Sequence, residues 1–249
     1  MRRFLALLTL ALGLAPLPGA AEQVVAALSQ TQVSVNANFE GSEILVFGAI
    51  KREETIPRDS NLDVIVTVAG PEQVETIRRK DRRFGIWINV EAQVVGHTPV
   101  FYTVASTRAL DEILPPLTDS LWKITADKRI LPGLRGLPAR DAILRLRRNA
   151  DLYRTREGEV ELVEDTLFRT SIALPANIVE GGYATRIFLL RDGKVIDSYG
   201  TSIDVEKVGL ERWLYNLAYR NAFLYGVMAL AVAAFCGWGA SAIFRLIRR

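Results

Sequence analysis

One cysteine and one histidine stand among 249 residues, and that shortage closes off several chemistries at once. With Cys236 alone, no disulfide forms within the chain, so a folded domain has to rest on packing. His97 would have to serve in any Ser-His-Asp or Cys-His arrangement, and no nucleophile motif accompanies it. Zinc and copper sites of the usual kind have no set of His and Cys ligands to draw on. No phosphate-cradling glycine loop is present. The densest acidic stretch, EGEVELVED (157–165), lacks the Asp/Asn-Gly pattern of a calcium loop. The expectation is therefore a non-enzyme with no catalytic residue, cofactor or metal.

Charge of one sign is not in excess either: 31 Lys and Arg face 28 Asp and Glu. Seven of those cations (Arg2, Arg3, Arg212, Arg220, Arg245, Arg248 and Arg249) lie toward the two ends, against Glu211 alone. The part between is slightly acidic, so no globally basic surface is indicated.

Long apolar runs are confined to the ends. MRRFLALLTLALGLAPLPGAAEQ opens with Arg2 and Arg3 and continues through an apolar core, Phe4 to Leu14, too short to span a bilayer. Pro16 and Pro18 break it, and Gly19-Ala20-Ala21 offers the small residues of a cleavage site, so 1–21 reads as a secretory signal peptide. Near the other end, 221–244 (NAFLYGVMALAVAAFCGWGASAIF) carries no charge and makes about 36 Å of helix, enough to cross. Arg245, Arg248 and Arg249 follow within 245–249, which places that stub in the cytoplasm and the body outside it, in a bacterium the periplasm. Nucleic acid is thereby excluded as a partner. Trp213, Tyr215, Tyr219 and Tyr225 gather at the outer boundary, and 208–220 is amphipathic, with Leu210, Trp213, Leu214 and Leu217 on one side. It is expected to lie on the inner membrane or to run into the span as one long helix. Within the span, Ala229, Ala233, Gly237 and Ser241 recur every four residues, a spacing that lets a second helix approach closely. A membrane-protein partner or a second copy would dock there. Cys236, in the same run, reads as a small apolar filler.

Residues 22–207 read as one β-rich domain with a helical insert at about 107–158. Val33, Val35, Ala37 and Phe39 alternate with polar residues, Glu40-Gly41-Ser42 turns, and Ile44 to Ile50 is a second strand. A loop with Pro57 leads to a buried strand in 61–71. Two short strands, Val74–Arg79 and Gly85–Val90, are followed by another at 100–107. TRALDEIL (107–114) is a helix stopped by Pro115-Pro116. A longer helix, 138–158, carries an apolar stripe of Ala139, Ile143, Leu146, Ala150 and Tyr153. Strands resume at 167–175, and 183–205 is a hairpin tipped by Asp192-Gly193, which supplies the positive φ of a tight turn. His97, before Thr98-Pro99, reads as a loop residue. The fold class is mainly β, an antiparallel immunoglobulin-like sandwich with a helical insert and one C-terminal transmembrane helix. Whether the strands before and after the insert form one sandwich or two subdomains stays open.

The run RRKDRRFGIWIN (78–89) is the main functional candidate. Arg78, Arg79, Lys80, Arg82 and Arg83 admit three readings: a solvated hairpin tip, a contact with anionic lipid or an acidic partner, or a small-anion site for sulfate, sulfite or phosphate. Phe84 and Trp87 beside them are expected to pack in the core, with stacking on a guanidinium as the other option.

NFEGSEILVFGA, RRKDRRFGIWIN, LPANIVEGGYATRIFLLRDGKVIDSY and VGLERWLYNLAYRN with GWGASAIFR resemble the alphaproteobacterial transmembrane protein family Alph_Pro_TM over nearly all the mature chain. The resemblance implies an exported domain with one C-terminal anchor and no established activity. Members are often encoded near a sulfite-exporter-type permease, which implies an accessory role in sulfur-anion transport. The expected function is a non-enzymatic accessory or interaction role, with a periplasmic receptor domain for small oxyanions as the alternative.

Overall fold

The computed structural model describes residues 22–36, 39–52, 61–130, 138–208 and 210–247. The expected signal peptide, Ala37 and Asn38 of the first alternating run, the loop around Pro57, and Arg248 and Arg249 lie outside the described residues. The chain is mainly β, with three sheets that include a curled half-barrel, a helical insert and one C-terminal apolar helix.

Strands β1 (Glu22–Leu28), β3 (Ser42–Arg52), β9 (Glu161–Val163) and β10 (Leu167–Leu174) form a four-stranded sheet in the order β1-β3-β10-β9. A six-stranded sheet is built from β2 (Gln32–Val35), β4 (Leu62–Ala69), β7 (Tyr102–Ser106), β8 (Tyr153–Glu157), β11 (Gly181–Arg191) and β12 (Lys194–Lys207). Its order is β2-β12-β11-β4-β7-β8. The third sheet is a two-stranded ribbon, β5 (Glu72–Arg83) with β6 (Ile86–Pro99). Because β3 pairs with β10 and β4 with β11, the strands on either side of the helical insert complete common sheets.

Strand position follows from side-chain character. All eight residues of β4 are buried, as expected of a central strand covered on both faces. In β3 burial alternates, with Ile44, Val46 and Ile50 inward and Leu45 and Phe47 outward. Each fully buried aliphatic or aromatic side chain of this kind contributes about 1.5–3 kcal/mol.

Among its described residues the insert has four helices: α1 (Leu110–Ile113), α2 (Pro116–Trp122), α3 (Ala126–Arg129) and α4 (Pro138–Asn149). Ile113, Ile124, Ile130, Ile143 and Leu144 from this segment share one core cluster with Ile65, Tyr102, Val104, Tyr153 and Phe188 of the sheet. The insert also returns the chain to the side from which it left. As a result β7 and β8 pair in parallel, a departure from the expected purely antiparallel pattern. A parallel pair needs such a crossover, and helices supply it.

Three local readings need correcting. The helix read as 138–158 ends at Asn149, where Asp151 takes the left-handed conformation (φ 58°) and Tyr153 starts β8. The apolar spacing runs on across that break, which is why periodicity overshot it. Leu146 is exposed, and the buried pair is Ile143 and Leu144. Pro115-Pro116 does end α1, but Pro116 also opens α2, since the first helical position needs no N–H. His97 lies within β6, exposed and paired with Val74, not in a loop.

Asp119 fixes the end of α2. It is buried, and its Oδ1 accepts the Ile124 and Thr125 amides at 3.1 and 2.8 Å while Oδ2 accepts the Thr125 hydroxyl at 2.6 Å. Those bonds close the chain over Lys123, which is left-handed at φ 53°. Asp119→Ala strands buried donors and is expected to cost about 2–3 kcal/mol. Urea unfolding of the full chain in detergent would check this, with Asp119→Asn keeping part of the loss back.

By its internal contacts the chain divides into two compact units, residues up to 33 with 40–205, and 34–39 with 206–249. In the second, Val208 N donates to Val35 O at 2.8 Å. Helices α5 (Leu210–Arg220) and α6 (Ala222–Ile247) are separated by Asn221 alone. The i to i−4 bonds Asn221 N to Leu217 O and Tyr225 N to Asn221 O, both 3.0 Å, carry the helical pattern across it. Ala222–Ser241 has a mean hydropathy of 1.8, long and apolar enough to cross a membrane.

Candidate interaction site at the tip of the ribbon

Among the described residues the ribbon is anchored only at its root. Ile77 packs against the core cluster, Glu72 pairs with Arg129 at 3.2 Å, and Glu75 pairs with Arg147 of α4. Beyond Ile77 every residue of β5 is exposed, and neither strand joins another sheet. The register shifts twice, between Val74 and Glu75 and between Arg79 and Lys80, leaving Gly96 and Val90 as the extra residues on β6.

All five cations singled out in the sequence, Arg78, Arg79, Lys80, Arg82 and Arg83, fall on this outer half of β5. Arg79 pairs with Glu91 across the ribbon (3.1 Å) and Arg83 lies 3.8 Å from Asp81. Arg82 Nε donates to Gly85 O at 3.4 Å. Arg78, Lys80 and Arg82 have no carboxylate partner among the described residues. The five do not converge on one point, because neighbours along a strand face opposite ways. They line both faces of a ribbon, which is unlike the concave clamp that a small oxyanion needs.

Phe84 and Trp87 correct the expectation of core packing. Phe84 is fully exposed, Trp87 is 68% exposed, and Ile86 beside them is 64% exposed. Aromatics are usually buried, so composition alone placed them wrongly. The signal that locates them is position: they follow directly on a charged run that a core strand would not tolerate.

The small-residue stripe lies on α6. A methyl group added at Gly237 would meet nothing within 4 Å among the described residues. A further apolar surface was not singled out in the sequence. On the outer face of the four-stranded sheet, Val25, Phe47, Ala49, Val163 and Leu167 line a depression of about 600 Å³.

Groups of catalytic character are engaged in structure instead. Burial pushes the Tyr102, Tyr153 and Tyr183 hydroxyls up, so they stay protonated, and they donate to Ile124 O (2.6 Å), Pro99 O (2.5 Å) and Val179 O (2.9 Å). Asp63, 2% exposed, receives Arg108 in a two-pronged contact at 2.9 and 2.6 Å together with the Thr107 hydroxyl. Among the described residues, no three His, Cys, Asp or Glu side chains stand together as a metal site would require.

No curated protein matches the chain. Among solved structures it is similar to Spo0M, the sporulation control protein of Bacillus subtilis, at 12% identity and a TM-score of 0.30; the match covers 81% of this chain and 56% of that one. A family model described as "Putative transmembrane protein (Alph_Pro_TM)" matches residues 23–246, nearly the whole described chain and both of its units. The chain belongs to the Alph_Pro_TM family.

Proposed function

We propose that this chain is a single-pass inner-membrane protein whose β-rich unit faces the periplasm and acts by contact, without catalysis, as an accessory to a membrane-protein partner. The observation that carries the reading is the small-residue face on α6, where a Cβ added at Gly237 meets nothing within 4 Å among the described residues. The apolar helix α6 supports it as the anchor, and Arg245, Arg248 and Arg249 behind the span support a cytoplasmic C-terminus. The face formed by Ala229, Ala233, Gly237 and Ser241 is the docking surface for the partner's helix, or for a second copy. A sulfur-anion permease is the partner that the family resemblance suggests. The finer architecture belongs to the same reading: the two larger sheets act as the layers of an immunoglobulin-like sandwich.

Crosslinking in native membranes, followed by identification of the neighbour, tests this. A membrane protein is expected to co-purify in mild detergent. Gly237→Leu should abolish that association without lowering stability, since a Cβ at that point meets nothing within 4 Å among the described residues. A lone monomer, unchanged by Gly237→Leu, overturns the reading.

The alternative, a receptor for small oxyanions, draws its support from α4 and not from the ribbon. A cleft of about 330 Å³ there is lined by Arg140, Arg145 and Arg148, with Asp127, Asp141 and Asn149. Arg140 and Arg148 already lean on Asp127, at 3.9 and 3.3 Å, which weakens their pull on an anion. Calorimetry of the full chain in nanodiscs at low salt, with sulfite, sulfate and phosphate, decides it; no heat with any of the three removes the receptor reading.

A further inference from the structure

We propose that the tip of the β5–β6 ribbon is a lipid probe: Phe84, Ile86 and Trp87 enter the interface of an anionic bilayer, and Lys80 and Arg82 engage its headgroups.

The first observation is the turn. Phe84 and Gly85 have φ of 49° and 84°, both positive, as a two-residue hairpin turn of the mirror-image type requires. For a bulky side chain that conformation is a strained choice, and Asn, Asp or Gly would fill it more cheaply. The chain itself provides the comparison. The β11–β12 hairpin makes the same turn with Asp192 and Gly193, at φ of 47° and 78°. The turn therefore does not call for Phe84. Nor does the fold, because the ring is fully exposed and gains no burial. Strain and exposure at one residue point to something outside the chain that receives it.

The second observation decides what that something is. Cross-strand partners share a face, so Arg82 sits beside Trp87 on one side of the ribbon, and Arg83 beside Ile86 on the other. A protein groove would be met by one apolar face and a polar back. This tip presents apolar and cationic side chains all round, with a ring at the end, which suits a medium that surrounds it. Lys80 and Arg82 stand about 7–13 Å behind Phe84 along the strand. An apolar tip entering to the headgroup boundary, some 5–10 Å deep, would thus leave the cations among the headgroups. From 78 to 91 the ribbon carries five cations against Asp81 and Glu91, a balance that favours an anionic surface. Lys and Arg along the β5 edge also discourage strand addition by another chain there. The proposal rests on the tethered reading above, because a unit held by one apolar helix never leaves the neighbourhood of lipid.

The test uses the full chain with Cys236→Ala, reconstituted into phosphatidylcholine vesicles with or without phosphatidylglycerol. An environment-sensitive fluorophore is placed at Phe84→Cys or, in a second protein, at Lys194→Cys beside the comparison turn. With phosphatidylglycerol, the probe at 84 is expected to shift to the blue and to be quenched by spin labels on the acyl chains. The probe at 194 stays water-like. Changing Lys80 or Arg82 to Gln should lower partitioning of the tip about fivefold each. Phe84→Asp, read from a probe at Ile86→Cys, should abolish the response while holding or raising thermal stability, since Asp suits the turn.

A water-like probe at 84 in anionic vesicles overturns the proposal, as does an equal response without phosphatidylglycerol or at both turns. Protection of position 84 in native membranes but not in pure lipid assigns the tip to a protein and also overturns it. Alkali-resistant flotation of the chain with the vesicles reports the anchor separately, so failure of the probe and failure of the tether are told apart.

Discussion

Glu22→Gln is expected to destabilise the β-rich unit by about 3 kcal/mol, the cost of removing one member of a buried ionic group. Glu22 opens β1 at the edge of its sheet, directly after the expected cleavage site. Its carboxylate accepts Arg52 Nε at 2.7 Å and two nitrogens of a second guanidinium, Arg191 Nε and Nη2, at 2.6–3.1 Å. The side chains are only 10%, 10% and 16% exposed. Burial alone would raise the Glu22 pKa, but the hydrogen bonds and charges of Arg191 and Arg52 together outweigh it and hold it below the usual value. A carboxyl lowered in the folded state stabilises fully above its unfolded pKa, about 4.3 for Glu, and loses that contribution as pH falls through the folded value. The gap in unfolding free energy between the native chain and Glu22→Gln should therefore be constant from neutrality down to the ordinary glutamate range and shrink below it. Urea titrations of the full chain in detergent at several pH values would show this. An unchanged gap under acid would mean that packing, not charge, carries the effect.

This ionic group was invisible in the sequence because its members lie 30 and 169 residues apart, and nothing local links them. What was legible were features governed by short-range rules. The hairpin at Asp192-Gly193 is one, since a positive-φ pair between apolar runs has few other uses. The central strand β4 is another, with its unbroken apolar run bounded by Gly70-Pro71. Strand β1 escaped notice because EQVVAAL has neither clear alternation nor turn residues at its margins. The ribbon was read as two short strands. An exposed ribbon has no buried face to impose the period of two on which strand reading depends. Its charges were found for the same reason that its length was missed: nothing apolar interrupts them.

The ribbon and the Asp192 hairpin together show how function becomes readable as a departure from local economy. Both turns share their backbone geometry, and one uses the residue that geometry favours. The other places an aromatic ring there, in water. Natural sequences agree with their fold at most positions, and a position that breaks the rule without a gain inside the fold marks a site that acts elsewhere. The apolar depression over β1, β3 and β10 breaks no such rule. It is an outer sheet face with exposed side chains, and nothing in the chain indicates what covers it.

Gly48→Ala should be the most disruptive addition of a single methyl group, costing about 1–3 kcal/mol through overpacking. Gly48 faces inward on β3, in the row that continues Ile44 and Val46. Opposite it on β10 stands Phe168, whose ring fills the space a side chain would take. A Cβ at 48 would lie 2.6 Å from Phe168 Cζ and 2.5 Å from Val25 O on β1. Alanine's lower unfolded-state entropy would return about 0.4–1 kcal/mol, too little to offset two such contacts. The backbone oxygen on one side and the wedged ring on the other leave β1 as the part able to move. Hydrogen exchange should accordingly quicken first along β1, from Val24 to Leu28. Phe168→Leu in the Gly48→Ala background relieves the ring contact but not the one with Val25. The double variant should thus be less destabilised than the sum of the two single changes, though still below the native chain. Strict additivity would show that the ring does not depend on the glycine, and that the close pairing of β1, β3 and β10 has another cause.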